Sequence, residues 1–445
     1  MKKNIKTLKD PVTGEPVHPI TIADGVYMNN GTRLEDNIRF CVTKSMNIGD
    51  LNRLATINKG SIVNAINEIV TQKYGSVYGV RFSGSNTEGE RLEDAFGAEV
   101  EPHYLTKEGK PVNSFDKLYP WRDIRRCIIS NEGDVLVYEG EPGFGTSSKL
   151  GSVFVEIPKF YQRIVIDETL NYIEYWISPT KVDGFWLNPV FKDGEEELDY
   201  AYIGAYECGL EGERIVSKSS YAQATNLTID ELKSKAAAIG DGFDIMSYYH
   251  HNILEYLFLI EYANRDAQSV YQGNCASNLA QTGKTDLIKY HSGAMVKGSY
   301  SSVFKYRHLE NIYGNLEEFI AGVTLKDNCV TLQGANGKVT TSHQLTDVDD
   351  KTNPFYVNDV LFPASYPYLT LPKYKSSLPS GSKLYFADTL ALPVMNDDSE
   401  YCMVSKGTDS SNIHAAGLFS FDMNHDVNYR SANTGARLVF KSKAK

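Results

Sequence analysis

The chain has 445 residues, 42% of them hydrophobic, which allows two to four domains with real cores and excludes global disorder. Lys and Arg total 45 against 56 Asp and Glu, a formal net charge of -11. With no long basic stretch, that balance argues against nucleic acid or anionic lipid as the main partner. No run approaches the roughly 20 apolar residues of a membrane span. Tyrosine is abundant at 29 residues. Surfaces rich in Tyr, Asn and Gly suit carbohydrate or protein ligands. The six cysteines are scattered without a C-x-x-C pair, so reduced thiols and no zinc site are expected.

The start, Met1-Lys-Lys-Asn-Ile-Lys-Thr, opens like a signal peptide, but no apolar run follows, so synthesis and folding in a cytoplasm are expected. Residues 1–47 are turn-rich: Asp10-Pro11, Glu15-Pro16 and His18-Pro19 oppose helix, and Asp24-Gly25 and Asn30-Gly31 favour tight turns. This reads as an extended attachment arm. Within 48–75, Ser61 is a natural N-cap, and Ile62, Ala65, Ile66, Ile69 and Val70 lay an apolar stripe on one helix face. Isoleucine along such a seam favours three strands or more, so a short trimerisation clasp is expected.

Residues 76–206 read as a strand-rich domain. Strands are expected at Val77–Phe82, Cys127–Ile129, Val135–Tyr138, Gly151–Ile157, Tyr161–Ile166, Tyr172–Ser178 and Tyr202–Ala205. A helix body at Leu232–Ile239 follows a Thr228/Glu231 capping box and stops at Gly240. A second helix is expected from Ile245 to about Ala263 with Asp244 as its cap. Its core, Ile253–Tyr262, is apolar nearly all round and so belongs at a domain centre. Beyond Asn264 the chain reads as loops, short strands and one short element beginning at Asn311.

Near the C-terminus, Gly417–Phe419 and Ala436–Phe440 read as plain hydrophobic strands. Between them lies a run of Ser, Asp, Asn, His, Tyr and Arg that is not expected to be a core strand, since its side chains need hydrogen-bond partners. Its chemistry is that of a recognition loop or, on the plainer reading, of a polar surface hairpin.

Elsewhere, His250-His251 point about 100° apart on a helix and so cannot share a metal in the i, i+4 manner. They read as core or hydrogen-bonding histidines. The acidic run Asp347, Asp349 and Asp350 lacks calcium-loop spacing. The Glu141–Lys149 stretch lacks the spacing of a phosphate loop. Asn315 and Glu317 read as partly buried residues pinning loops, and Arg437 as an ion-pair partner or loop anchor.

Three stretches resemble tail-associated proteins of bacteriophages. Gly49-Asp-Leu through Ser61-Ile-Val-Asn-Ala-Ile-Asn-Glu-Ile resembles a segment near the N-termini of tail fibre and baseplate proteins. Gly79-Val-Arg-Phe, Trp121-Arg-Asp-Ile-Arg, Val155-Glu-Ile-Pro-Lys-Phe, Ile203-Gly-Ala-Tyr, the run from Leu257 to Ser269 and Glu310–Phe319 resemble phage proteins with a C-type-lectin-like domain. The C-terminus is similar to the variable region of targets of diversity-generating retroelements: Gly417–Phe419, then Ser420–Thr434, then Gly435–Leu438.

The resemblance implies an α+β chain: arm, short oligomerisation helix, strand-rich middle, and a C-type-lectin-like domain over 207–445. It implies a phage receptor-binding protein on the virion tail, a homotrimer held by tail or baseplate proteins, that recognises a bacterial surface glycan or protein. It implies no membrane insertion, cofactor, metal or catalytic residue. The expected ligand-binding residues are Ser420, Asp422, Asn424, His425, Asp426, Asn428, Tyr429, Arg430 and Ser431. The alternative is an enzyme on the same fold, either resembling formylglycine-generating enzymes or degrading a surface glycan. The former family uses a cysteine pair near the C-terminus, and here only Cys402 lies in the last hundred residues.

Overall fold

The computed structural model describes residues 76–443 apart from 277, 300–301, 327–328, 334–338, 345–354, 358, 362–366, 374–385, 387, 394–398 and 406–415, and, of the earlier residues, only Leu8–Lys9 and Pro16–Val17. Two compact units are present, Met1–Lys73 and Tyr74–Lys445. In the first, Leu8–Lys9 pairs antiparallel with Pro16–Val17. The expected Ile62–Val70 stripe and the acidic run at Asp347–Asp350 lie outside the described residues.

The second unit is mixed α+β, with strands predominating. Alternation marks the first of them, whereas strands such as Ser152–Pro158 are buried on both faces. Tyr78, Val80 and Phe82 all turn into the core from one strand. The expected strands appear within a residue or two as Tyr78–Ser83, Arg125–Ile129, Val135–Tyr138, Ser152–Pro158, Tyr161–Asp167, Tyr172–Ser178 and Tyr200–Glu207.

They assemble into two antiparallel sheets. The first runs Trp186–Leu187, Tyr161–Asp167, Tyr172–Ser178, Tyr78–Ser83, Glu90–Glu93. The second runs Phe243–Ile245, Arg437–Phe440, Tyr200–Glu207, Ser152–Pro158, Arg125–Ile129, Val135–Tyr138. The C-terminal strand is therefore an inner strand between elements some two hundred residues earlier. The expected boundary between 206 and 207 falls inside the strand Tyr200–Glu207, and residues from both sides share one sheet. A third, eight-stranded sheet is centred on Glu317–Lys326, Tyr401–Ser405 and Phe421–Asp426.

Helix α1 (Ile229–Ala237) carries the expected capping box: Glu231 N–H donates to Thr228 Oγ1 at 3.2 Å, and Thr228 N–H to Glu231 Oε2 at 2.8 Å. Helix α2 (Tyr248–Tyr262) starts three residues later than expected. Asp244 is not its cap, because Phe243–Ile245 pairs with Arg437–Phe440 instead. Phe243 and Ile245 alternate into the core with Asp244 between them, so the period of two prevails there. Helix α2 is buried almost throughout, as its apolar surface requires. Several of its polar groups are bonded inside: Trp121 Nε1 donates to Leu257 O, Tyr256 OH to Tyr368 O and Asn252 Nδ2 to Glu255 Oε2. His251 Nε2 donates to Leu418 O at 2.7 Å. His250 Nδ1 lies 2.9 Å from Ser247 Oγ, so both histidines are hydrogen-bonding residues of the frame.

Candidate recognition surface at the C-terminal loop

Two expectations about the C-terminus need correction. Gly417–Phe419 is a turn, not a strand. The turn is pinned from below, since Phe419 N–H donates to the buried Asp388 Oδ2 at 2.7 Å and Leu418 O accepts from His251. Conversely, Phe421–Asp426 is a strand, paired antiparallel with Tyr401–Ser405 and parallel with Thr389–Ala391. Phe421 and Met423 are buried and supply a short alternation that the polar neighbours mask in the sequence.

This frame sorts the nine expected contact residues. Ser420 is buried, with its Oγ donating to Thr389 O at 3.1 Å. Asp422 is buried too, accepting from Asn424 N–H at 2.8 Å. Both belong to the support rather than the surface, because they lie at the buried start of this strand. Asn424, Asp426, Asn428 and Arg430 are exposed, and His425, Tyr429 and Ser431 are half-buried between them. The structure thus places seven of the nine in one exposed or half-buried stretch, Asn424–Asp426 at the end of the strand and Asn428–Ser431 in the turn and segment after it.

The turn is ordered by its own side chains. Asp426 Oδ1 accepts from Asn428 N–H at 2.7 Å and Asp426 O from Tyr429 N–H at 3.0 Å. The Tyr429 ring stacks on His425, with centroids 3.6 Å apart at 14°, and meets Phe319 edge-on at 6.5 Å. Tyr429 also packs against the core formed by Phe154, Leu232, Phe243 and Leu438. It is therefore an anchor of the loop as well as part of its surface. Arg430 pairs with Glu231 at 3.0 Å, which ties the loop to the start of α1. The Thr228 N–H, with Arg430 adding to it, holds the Glu231 carboxyl below its usual range. On the far side, Asn226 N–H donates to Ser431 O and Thr434 Oγ1 to Glu317 Oε2, both at 2.8 Å.

Beneath the loop lies a buried polar layer. Arg437 binds both carboxylate oxygens of Glu318, at 3.2 and 2.6 Å, and donates to the carbonyls of Gly204, Glu310 and Asn311. Asn315 is wholly buried and donates to Glu207 Oε2 at 2.7 Å. Both are the ion-pair and loop-pinning residues expected from the sequence.

Cys402 is buried under the loop with its Sγ against His425 O at 3.1 Å, and burial pushes its thiol up to about 12. Cys329 is a free thiol on another strand of the third sheet, so no cysteine pair forms there. One Ser–His–Asp contact, unforeseen in the sequence, does exist. Ser292 Oγ lies 2.9 Å from His291 Nδ1, and His291 Nε2 lies 2.8 Å from Asp116. Ser292 is wholly buried and its Oγ accepts from Arg307 N–H, so the contact is structural. Among the described residues, no group of three or more His, Cys, Asp or Glu side chains is placed to hold a metal ion. No described helix is long and apolar enough to cross a membrane.

No protein-family model matches the chain, and no curated protein matches it.

Proposed function

We propose that the chain is a receptor-binding protein of a bacteriophage tail, and that its C-terminal loop engages the bacterial surface from a C-type-lectin-like domain. One observation carries this reading: Asn424, Asp426, Asn428 and Arg430 form an exposed row along a strand end and the turn after it, with the chain secured beneath. Rigid aromatic and arginine groups flanked by adaptable amides are the chemistry of a paratope. The order of phage-like segments along the sequence supports attachment to the tail, and the Ile62–Val70 stripe supports a homotrimer. Several copies of a weak site then act together through effective concentration. The receptor is a surface glycan or protein, and binding needs no cofactor and no turnover.

The test pairs binding with stability. Fluorescently labelled full-length protein is titrated onto a panel of bacterial strains, and thermal unfolding is followed in parallel. Arg430→Ala and Asn428→Ala each lower affinity for a binding strain by about 1–2 kcal/mol. They leave stability within about 0.5 kcal/mol, as exposed loop changes do. Tyr429→Ala loses binding and also about 1 kcal/mol of stability, because its ring is stacked and half-buried. If Tyr429→Ala combined with Arg430→Ala leaves binding unchanged, recognition resides elsewhere.

A further inference from the structure

A second polar cleft opens at the other end of the strand that carries the C-terminal frame. Tyr200–Glu207 pairs through Glu207 with Arg437, next to the loop, whereas Tyr200 pairs with Pro158 in the cleft wall. Seven residue steps at about 3.3 Å each separate the two ends by roughly 23 Å. The cleft has a volume of about 550 Å³, within the roughly 300–1,000 Å³ of small-molecule sites.

Its floor is a buried carboxylate. Glu156 is wholly buried and accepts from Arg125 Nε at 2.9 Å, Tyr138 OH at 3.1 Å and Tyr202 OH at 2.9 Å. Sheet register makes this set, placing Arg125 and Tyr202 on either side of Glu156. The Arg125 guanidinium lies 3.6 Å over the Tyr138 ring, which fixes its plane. Only its Nε is used. Its two terminal amino groups have no hydrogen-bond partner among the described residues, and the side chain is 49% exposed. The Tyr200 hydroxyl has none either, and its ring is 36% exposed.

Charge narrows the ligand. Each cation lining the cleft already has its own carboxylate: Arg125 has Glu156, Arg122 has Asp123, and Lys159 has Glu197 and Asp199. No cation is left over to pay for desolvating an anion, and a phosphate or acidic sugar would meet Asp123, Glu156 and Asp199. What remains free is an oriented fork of N–H donors, a hydroxyl that both donates and accepts, carboxylate oxygens, and the exposed face of Tyr200. Adjacent hydroxyls on a pyranose donate and accept in pairs, and the ring's C–H face packs on an aromatic. We infer that this cleft is a binding site for a neutral saccharide, separate from the C-terminal loop and independent of it.

The experiment uses the full chain on a glycan array of neutral hexose and N-acetylhexosamine oligosaccharides beside their uronic-acid and sialic-acid counterparts, followed by calorimetric titration of the best neutral probe. At least one neutral probe is expected to bind. Tyr200→Ala and Arg125→Ala are each expected to weaken it about tenfold or more, and Arg430→Ala to leave it unchanged. Arg125→Ala strips Glu156 of its countercharge and can lower the melting temperature. Tyr200→Ala, at an exposed ring, carries the test if it does. Binding to acidic probes alone, binding to no probe, or binding indifferent to Tyr200→Ala overturns the inference. Loss of neutral-sugar binding on Arg430→Ala overturns it too, since the sugar would then sit at the loop.

Discussion

Arg437→Met is the sharpest test of how the loop is held. Arg437 is 0% exposed, and all its charge is spent inside the protein. Two of its hydrogen bonds go to Glu318, and three to the carbonyls of Gly204, Glu310 and Asn311. Methionine is unbranched and nearly as long, so the cavity is small and the loss is mainly electrostatic. Glu318, itself 4% exposed, would remain as a buried carboxylate without its countercharge. Breaking one side of such a pair costs about 3–5 kcal/mol. That is a fifth or more of a typical total stability of roughly 5–15 kcal/mol. Glu318 also lies on the strand that pairs with Thr434–Gly435, so the closing arm of the loop should loosen with it. Urea titration of the full chain reads the loss as a lower midpoint. The double variant Arg437→Met/Glu318→Met removes the stranded charge and is expected to recover most of it. A single-variant loss under about 1 kcal/mol, or a double variant no more stable than the single, would refute the reasoning.

Three further outcomes are expected. Leu257→Ala, in the middle of α2 and wholly buried, should cost about 2–5 kcal/mol in the same titration. Gly417→Ala should cost about 1–3 kcal/mol, since a Cβ there would overlap the Asp388 carboxylate that receives Phe419 N–H. Burial pushes the Glu255 carboxyl up to about 8. Below about pH 4.5 it is neutral in both states, whereas between 4.5 and 8 the unfolded chain ionises and the folded one stays protonated. Stability therefore falls as pH rises through that window, by up to about 1.4 kcal/mol per unit from this group. Glu255→Gln should flatten that part of the profile in stability measured at pH 5, 6, 7 and 8, and an unchanged slope would contradict it.

Local pattern made the early strands and both helix bodies legible. Val135–Tyr138 and Tyr172–Ser178 were readable to the residue, and the Thr228/Glu231 box marks the start of α1. Pairing between distant segments was not legible. Nothing near Phe243 announces that Arg437–Phe440 will lie beside it, so a residue of strand was read as the start of a helix. In the loop, the polar composition from Ser420 onward concealed the two inward positions, Phe421 and Met423, because a strand of six residues needs only two. The cleft was invisible for a related reason. Arg125, Glu156 and Tyr200 are 31 and 44 positions apart in sequence, and only sheet register unites them.

The same register explains why the loop can vary without the domain unfolding. Strand Phe421–Asp426 buries its first three residues and exposes or half-exposes the rest, so side chains change role within one turn of chain. Before that point, Ser420, Asp388 and His251 form their bonds through their side chains. Beyond it, Asn424 and Asn428 donate to Asp422 and Asp426 through their backbone N–H groups, and these bonds survive a change of side chain. Asp426 and Tyr429 are the exceptions, one closing the turn and the other seating it on the core. The surface thus carries structural contacts at Asp426 and Tyr429, at the His425 ring stacked on Tyr429, and at Arg430, whose ion pair reaches Glu231. Asn424 and Asn428 are the positions where a change of side chain leaves these contacts in place.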